Sequence, residues 1–256
     1  MNQEIQKLAP FQSGWYSFDL VDYRACNRTY CYFPYDSLPP IPATRFNKTL
    51  QWLTPLDRDI DQDMQKYRPD PEDRLHMIDH LGKIADEAHQ LGLSLPESFL
   101  QIMGSLELQD RIPFCTACYF DLPDKIVPCP GRDEGYLIRF LNDQQFVLAW
   151  YLYLTPTGEH CILVAHYPFY VLAEAPKYAE EEDITEEEQK ASLETTIVCS
   201  PSFETFLYRF WLENVIWYKL NLYDNQKPLT EEEKRYLAHY KPISKEGNGD
   251  ARSRIG

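Results

Sequence analysis

The sequence predicts an α+β fold in which helices pack against a central, mainly antiparallel sheet. Two observations lead to this prediction: three consecutive strand-like segments in the middle of the chain, and a long aromatic helix near its end. The strand-like segments are residues 136–141, 146–154 and 160–165, and the short polar turns between them are typical of a β-meander. In the second turn, Pro156 presets φ and Gly158 accepts a left-handed backbone.

The middle strand of this meander is apolar on both of its faces. Trp150 and Leu152 alternate with Tyr151 and Tyr153. A strand of this kind is either covered on both sides or offers one face to a partner. Tyr151 and Tyr153 are therefore candidate partner-binding residues.

Residues 1–70 predict an N-terminal extension that is rich in aromatic residues and proline but has little periodicity. Residues 15–18 and 29–33 predict short strands within it. We expect this extension to pack on the main domain, because solvated linkers carry few large aromatic side chains.

The main domain, residues 71–242, begins with a predicted helix. Asp70 suits the N-cap position, Pro71 suits the first turn, and Gly92 ends the pattern. Its predicted buried face is made of Leu75, Ile78, Leu81, Ala85 and Ala88. A shorter helix over residues 96–103 and a strand near residues 117–121 follow.

The strongest predicted helix begins with Ser200 as its N-cap and Pro201 in its first turn, and it runs to Tyr218. Its wide aromatic face requires a large surface, and the sheet is the one that this sequence offers. A last helix over residues 230–237 begins with a capping box formed by Thr230 and Glu233. Residues 243–256 predict a disordered tail.

The charge of the chain is strongly acidic. With 40 acidic and 25 basic residues, its net charge is −15. Binding to nucleic acid or to an anionic membrane surface is disfavoured, because both depend on Lys and Arg. A basic protein partner fits this charge, although acidity that only maintains solubility explains it equally well.

The acidic residues are densest in a predicted insertion, residues 176–194. A solvated, mobile loop is the simplest interpretation. The alternative is a docking arm whose carboxylates contact a basic partner; the candidate partner-binding residues are Glu180, Glu181, Glu182, Asp183, Glu186, Glu187 and Glu188.

Seven cysteines with irregular spacing, no apolar signal core and no long apolar run predict a soluble, cytoplasmic protein with free thiols. Cys115 and Cys118 form a CxxC pair that permits zinc binding or thiol exchange. A second ligand pair for zinc is missing, so two buried thiols are the favoured interpretation. We expect no metal or other cofactor.

Motifs for catalysis are weak. His76 and His80 share one helix face and make half a metal site at most. The sequence has no nucleophile elbow and no phosphate-binding glycine loop, and it predicts a protein that is not an enzyme.

Three segments together resemble the SUKH (Smi-Knr-type) superfamily. Residues 95–100 (LPESFL) look like its opening helix, residues 136–165 resemble its central sheet, and residues 202–207 (SFETFL) are similar to its C-terminal helix. The resemblance covers about residues 75–240.

This resemblance implies an α+β binding module without catalytic residues. Many members are immunity proteins that neutralise toxin domains, often nucleases, and others are regulatory scaffolds. The expected function is therefore a non-enzymatic, immunity-type protein that binds a basic toxin domain. The alternatives are a regulatory scaffold, or a zinc- or thiol-active protein that uses Cys115 and Cys118.

Overall fold

A computed structural model describes residues 11–42, 44, 46, 49–66, 68–129, 135–145, 147–166, 194–221 and 227–240. The strands are β1 (Gln12–Ser17), β2 (Cys31–Pro34), β3 (Cys118–Phe120), β4 (Val127–Pro128), β5 (Tyr136–Asp143), β6 (Ala149–Leu154), β7 (His160–Ala165) and β8 (Ile197–Ser200). The α-helices are α1 (Arg58–Gln65), α2 (Pro71–Arg74), α3 (His76–Gln90), α4 (Glu97–Met103), α5 (Leu106–Gln109), α6 (Phe203–Asn221) and α7 (Glu231–Ala238).

The eight strands form one sheet in the order β2-β1-β8-β7-β6-β5-β3, and β4 also pairs with β5. The pairing of β1 with β8 is parallel, and the other pairings are antiparallel. The predicted α+β class with a mainly antiparallel sheet is confirmed.

The predicted meander is β5, β6 and β7. The middle strand begins at Ala149, a few residues later than predicted. Gly158 has a φ of 83°, as the predicted turn requires, and its N–H donates to the carbonyl oxygen of Thr155 at 3.0 Å.

The segment predicted to be an extension contributes two strands to this sheet. β1 lies between β2 and β8, and Gln12 and Ser13 pair with Ile197 and Val198. Trp15 is 2 % exposed and belongs to the same hydrophobic core as the meander.

Helix α6 covers one face of the sheet with its aromatic residues, as predicted. The ring of Phe206 lies 5.5 Å from Phe140 and 6.5 Å from Trp150, between ring centroids. The capping side chain is Ser202 rather than the predicted Ser200, since Ser202 Oγ accepts from the N–H of Thr205. The predicted capping box of α7 is present.

The predicted helix after Asp70 is divided at Leu75 into α2 and α3, and its predicted buried face is partly wrong. Leu75 is 50 % and Ile78 is 39 % exposed, whereas Met77 and Ile84 are buried. Met77, and not Leu75 or Ile78, points to the core and sets which face of the helix is buried. The sequence could not show this, because residues 75, 77 and 78 are all apolar.

The prediction of free thiols is wrong for two cysteines. Cys26 and Cys31 form a disulfide with their Cα atoms 5.6 Å apart, where the chain enters β2. They are only five positions apart in the sequence, so the loop that leads into β2 brings their side chains together. The other five cysteines are free.

A buried ion pair fastens β1, α6 and α7 together. Arg24 donates from Nη1 to Glu213 Oε1 at 2.6 Å and from Nη2 to Oε2 at 3.0 Å. Trp15, Ser17 and Tyr236 also donate to this carboxylate. Five donors compensate its burial, and the loop that holds Arg24 is thereby fixed to the helical layer.

Candidate functional site

The acidic residues that the sequence assigns to partner binding, Glu180, Glu181, Glu182, Asp183, Glu186, Glu187 and Glu188, lie outside the described residues. At the end of the same predicted insertion, Glu194 is described and exposed.

Tyr151 and Tyr153, the other predicted partner-binding residues, are in the core. They are 2 % and 4 % exposed. Both faces of β6 are therefore covered, which is the first of the two alternatives that its apolar pattern allowed. A ring this deeply buried offers no surface to a partner, so the assignment of these two tyrosines to partner binding is corrected.

The described surface is acidic like the whole chain. Among the described residues, exposed Asp and Glu side chains outnumber exposed Lys and Arg side chains by 14 to 7. The potential outside the protein is therefore negative.

The CxxC pair precedes and begins β3. Cys115 is half-buried and Cys118 is buried, and both thiols are free. Burial raises the pKa of Cys118 to about 12 and raises that of Cys115 well above its ordinary value. Little thiolate then exists at neutral pH, and thiol exchange needs the thiolate.

The geometry gives little support for metal binding by Cys115 and Cys118 or by His76 and His80. No group of three or more His, Cys, Asp or Glu side chains that suits a metal ion occurs in the part of the chain that is described. Nε2 of His76 lies 3.2 Å from Asp121, and Nδ1 of His80 lies 2.7 Å from the carbonyl oxygen of Leu122. The two rings are thus held by separate partners.

A cavity of about 690 Å³ lies beside β3 and the CxxC pair. One wall is apolar and is formed by Met64 of α1, by Phe114 and Phe120, and by Trp217 and Tyr218 near the end of α6. Its size and its aromatic wall are typical of ligand pockets.

Two arginines also line the cavity. Arg74 donates from Nη1 to Asp110 Oδ1 at 2.8 Å and from Nη2 to Gln109 Oε1 at 3.2 Å. Arg68 donates from Nη2 to the main-chain oxygen of Asp110 at 2.6 Å and pairs with Asp61 at 2.9 Å. Their side chains are only 12 % and 18 % exposed, so both guanidinium groups are held in place.

Strand β3 brings an open sheet edge to this cavity. The N–H of Gln144 donates to the carbonyl oxygen of Ala117, and the N–H of Asp121 donates to the carbonyl oxygen of Phe140. Residues 117 and 121 therefore form hydrogen-bonded pairs with β5 on either side of β3, and such pairs alternate along the ladder. The main-chain groups of Cys118 and Phe120 therefore point away from β5. No strand of the described chain pairs with this outer edge.

The backbone at the entrance to β3 is strained. Ala117, which also lines the cavity, has a φ of 54°. This left-handed conformation costs about 1–2 kcal/mol for a residue other than glycine. Val21 and Leu50, which do not line the cavity, have the same kind of φ, so this conformation is not confined to the cavity.

Sequence reasoning found only the CxxC pair of this site. Arg68, Arg74 and Asp110 were not identified, and Trp217 was assigned only to the apolar face of its helix. The residues are far apart in the sequence, and no local spacing links them. The single local signal was the strand-like context of Cys118, which favoured two buried thiols over thiol chemistry but did not indicate that the strand lies at the edge of the sheet.

No protein-family model, no curated protein and no solved structure matches this chain. None of the described helices combines the length and the apolar character that a membrane crossing requires.

Proposed function

We propose that this chain is a non-enzymatic protein-binding module, of the immunity type, that binds and neutralises a basic toxin domain. The observation that carries the proposal is the excess of negative charge on the described surface, which adds to the net charge of −15. A surface of one sign raises the association rate of a partner of the opposite sign. The resemblance to the SUKH superfamily supports the same function.

In this proposal the partner is a basic protein, and the carboxylates of residues 180–188 add the densest negative charge. Inhibition occurs by occlusion: carboxylates pair with the Lys and Arg residues with which a toxin domain binds its own anionic substrate. The proposed site of action is the cytoplasm. One observation opposes this location: the Cys26–Cys31 disulfide is of a kind that is typical of oxidising compartments.

The proposal is tested by a pull-down from native lysate with the tagged chain as bait. Bound proteins are eluted in steps of rising salt and identified by mass spectrometry. We expect a basic protein near one-to-one stoichiometry, released by salt because screening weakens charge pairs. Recovery of no basic protein under these conditions would contradict the proposal.

A matched bait makes the result specific. In one variant, Glu180, Glu181, Glu182, Glu186, Glu187 and Glu188 are replaced by Gln. In the control variant, the same number of exposed carboxylates outside the insertion is neutralised, at Asp22, Asp70, Glu72, Asp79, Asp86 and Asp124. We expect the first variant to lose most of the captured protein and the control variant to keep most of it.

Zinc or thiol chemistry at Cys115 and Cys118 is the alternative function, and it has weaker support than protein binding. The raised pKa of both thiols opposes nucleophilic use at neutral pH. A regulatory scaffold differs from the immunity function only in the identity of the partner, and the same pull-down identifies that partner.

A further inference from the structure

We propose that the cavity beside β3 binds the C-terminal end of an extended peptide whose last side chain is aromatic. Three features of the cavity lead to this ligand: an open strand edge, an aromatic wall and a pair of guanidinium groups. The inference rests on the proposed function in one respect, that the partner is a protein. It uses no residue of the acidic segment.

The open edge of β3 is the feature that favours a peptide over a small molecule. The outward main-chain groups of Cys118 and Phe120 offer donors and acceptors at the cavity wall. An extended peptide satisfies such groups by adding one more strand to the sheet. Since β3 is only three residues long, the added strand is short, and side-chain contacts must supply specificity.

The aromatic wall accepts the last side chain of this peptide. Phe114 and Trp217, which are half-buried, present ring surfaces to the cavity. Tyr218 and Met64 are almost fully buried and support these rings from behind. Tyr218 is held in position because its hydroxyl donates to the carbonyl oxygen of Phe114 at 3.2 Å. A ring that enters the cavity therefore meets a wall that is already formed.

The arginine pair accepts the terminal carboxylate. Asp110 contacts both guanidinium groups, and Asp61 pairs with Arg68. Nη1 of Arg68 and Nε of Arg74 still have no hydrogen-bond partner among the described residues. Guanidinium donors that are partly buried and held by other residues bind carboxylates well.

The experiment uses the full chain and N-acetyl-Gly-Gly-Phe as the probe. Binding is followed by NMR through the indole N–H signal of Trp217, which is assigned with a Trp217→Phe variant. Trp217 lines the cavity, and Trp15 does not. We expect the Trp217 signal to shift until it saturates while the Trp15 signal stays in place. Absence of any Trp217 shift up to about 10 mM peptide would overturn the proposal.

Two further ligands test the individual contacts. The C-terminal amide of the same peptide lacks the carboxylate, and we expect it to bind at least about tenfold more weakly. The acid 3-phenylpropionate keeps the ring and the carboxylate but has no peptide groups to pair with β3, and we expect weaker binding here too. Equal affinity of the amide would overturn the role of the arginines, and equal affinity of 3-phenylpropionate would overturn the role of the strand edge.

Variants complete the test. Arg68→Gln is expected to remove the preference for the free acid over the amide, whereas Arg28→Gln, at an exposed arginine in the loop before β2, keeps it. If Arg68→Gln retains the full preference, the proposed contact is wrong. Failure of peptide binding leaves capture by the acidic segment untouched, so it is distinguishable from failure of the proposed function.

Discussion

Replacing Glu213 with alanine is expected to lower the free energy of unfolding by about 3–5 kcal/mol. Glu213 is 1 % and Arg24 is 3 % exposed, so the variant leaves a buried guanidinium without its counter-charge. Trp15, Ser17 and Tyr236 lose their acceptor at the same time. Urea unfolding followed by circular dichroism measures the change.

Two comparisons make this prediction specific. Asp86→Asn, at an exposed carboxylate of α3, is expected to change stability by less than about 0.5 kcal/mol. Arg24→Met combined with Glu213→Leu removes both charges, and we expect it to be far less destabilising than Glu213→Ala alone. A loss below about 1 kcal/mol for Glu213→Ala would show that the ion pair does not fasten the N-terminal strands to α6.

The same carboxylate makes the protein sensitive to acid. Burial alone would raise the pKa of Glu213, but the charge and hydrogen bonds of Arg24 outweigh it and lower the pKa from 4.5 to about 2. Because the folded-state pKa is depressed, this stabilisation is complete above pH 4.5 and is lost as the pH falls towards 2. Its size is about 3 kcal/mol. In the Glu213→Leu, Arg24→Met protein, we expect this part of the acid dependence to be absent.

Replacing Phe206 with alanine is the second large effect that we expect, a loss of about 3–5 kcal/mol. Phe206 is fully buried, and its ring lies within 6.5 Å of the rings of Trp15, Phe140, Trp150 and Phe210, between centroids. The cavity left behind would therefore open at the junction of α6, the meander and β1.

Phe206→Leu keeps much of the apolar volume and is expected to cost about 1–2 kcal/mol. Leu100→Ala, at a residue that is 37 % exposed, serves as the control and is expected to stay near the native stability. If Phe206→Ala resembled Leu100→Ala in a urea titration, the packing of α6 on the sheet described above would be contradicted.

The parts of the fold that the sequence predicted are those set by local patterns. The meander follows from alternation and from a turn that needs Gly158, and α6 follows from an apolar face of helical period. The capping box of Thr230 and Glu233 is likewise a pattern of four consecutive residues. Such signals hold because the physical interaction and its sequence spacing are both short.

The parts that failed depend on contacts between distant residues. The parallel pairing of Gln12 with Ile197 joins segments 185 residues apart, and no local pattern specifies it. Tyr151 and Tyr153 are a second example. The alternating pattern predicted the strand, but the pattern does not show whether other elements cover the face on which these two residues lie. Arg68 and Trp217 line the same cavity because of how distant parts of the chain pack, and the sequence around either residue does not indicate this.

The central claim, that negative charge on this chain speeds its capture of a basic protein, is tested most directly by association kinetics. The rate constant for association with the captured partner is measured by stopped-flow fluorescence at rising salt, for the native chain and for the variant with Gln at residues 180–182 and 186–188. We expect the native rate to fall steeply with salt and the variant to associate about tenfold or more slowly at low salt, with dissociation little changed. An association rate that is independent of salt and equal in the two proteins would contradict the claim.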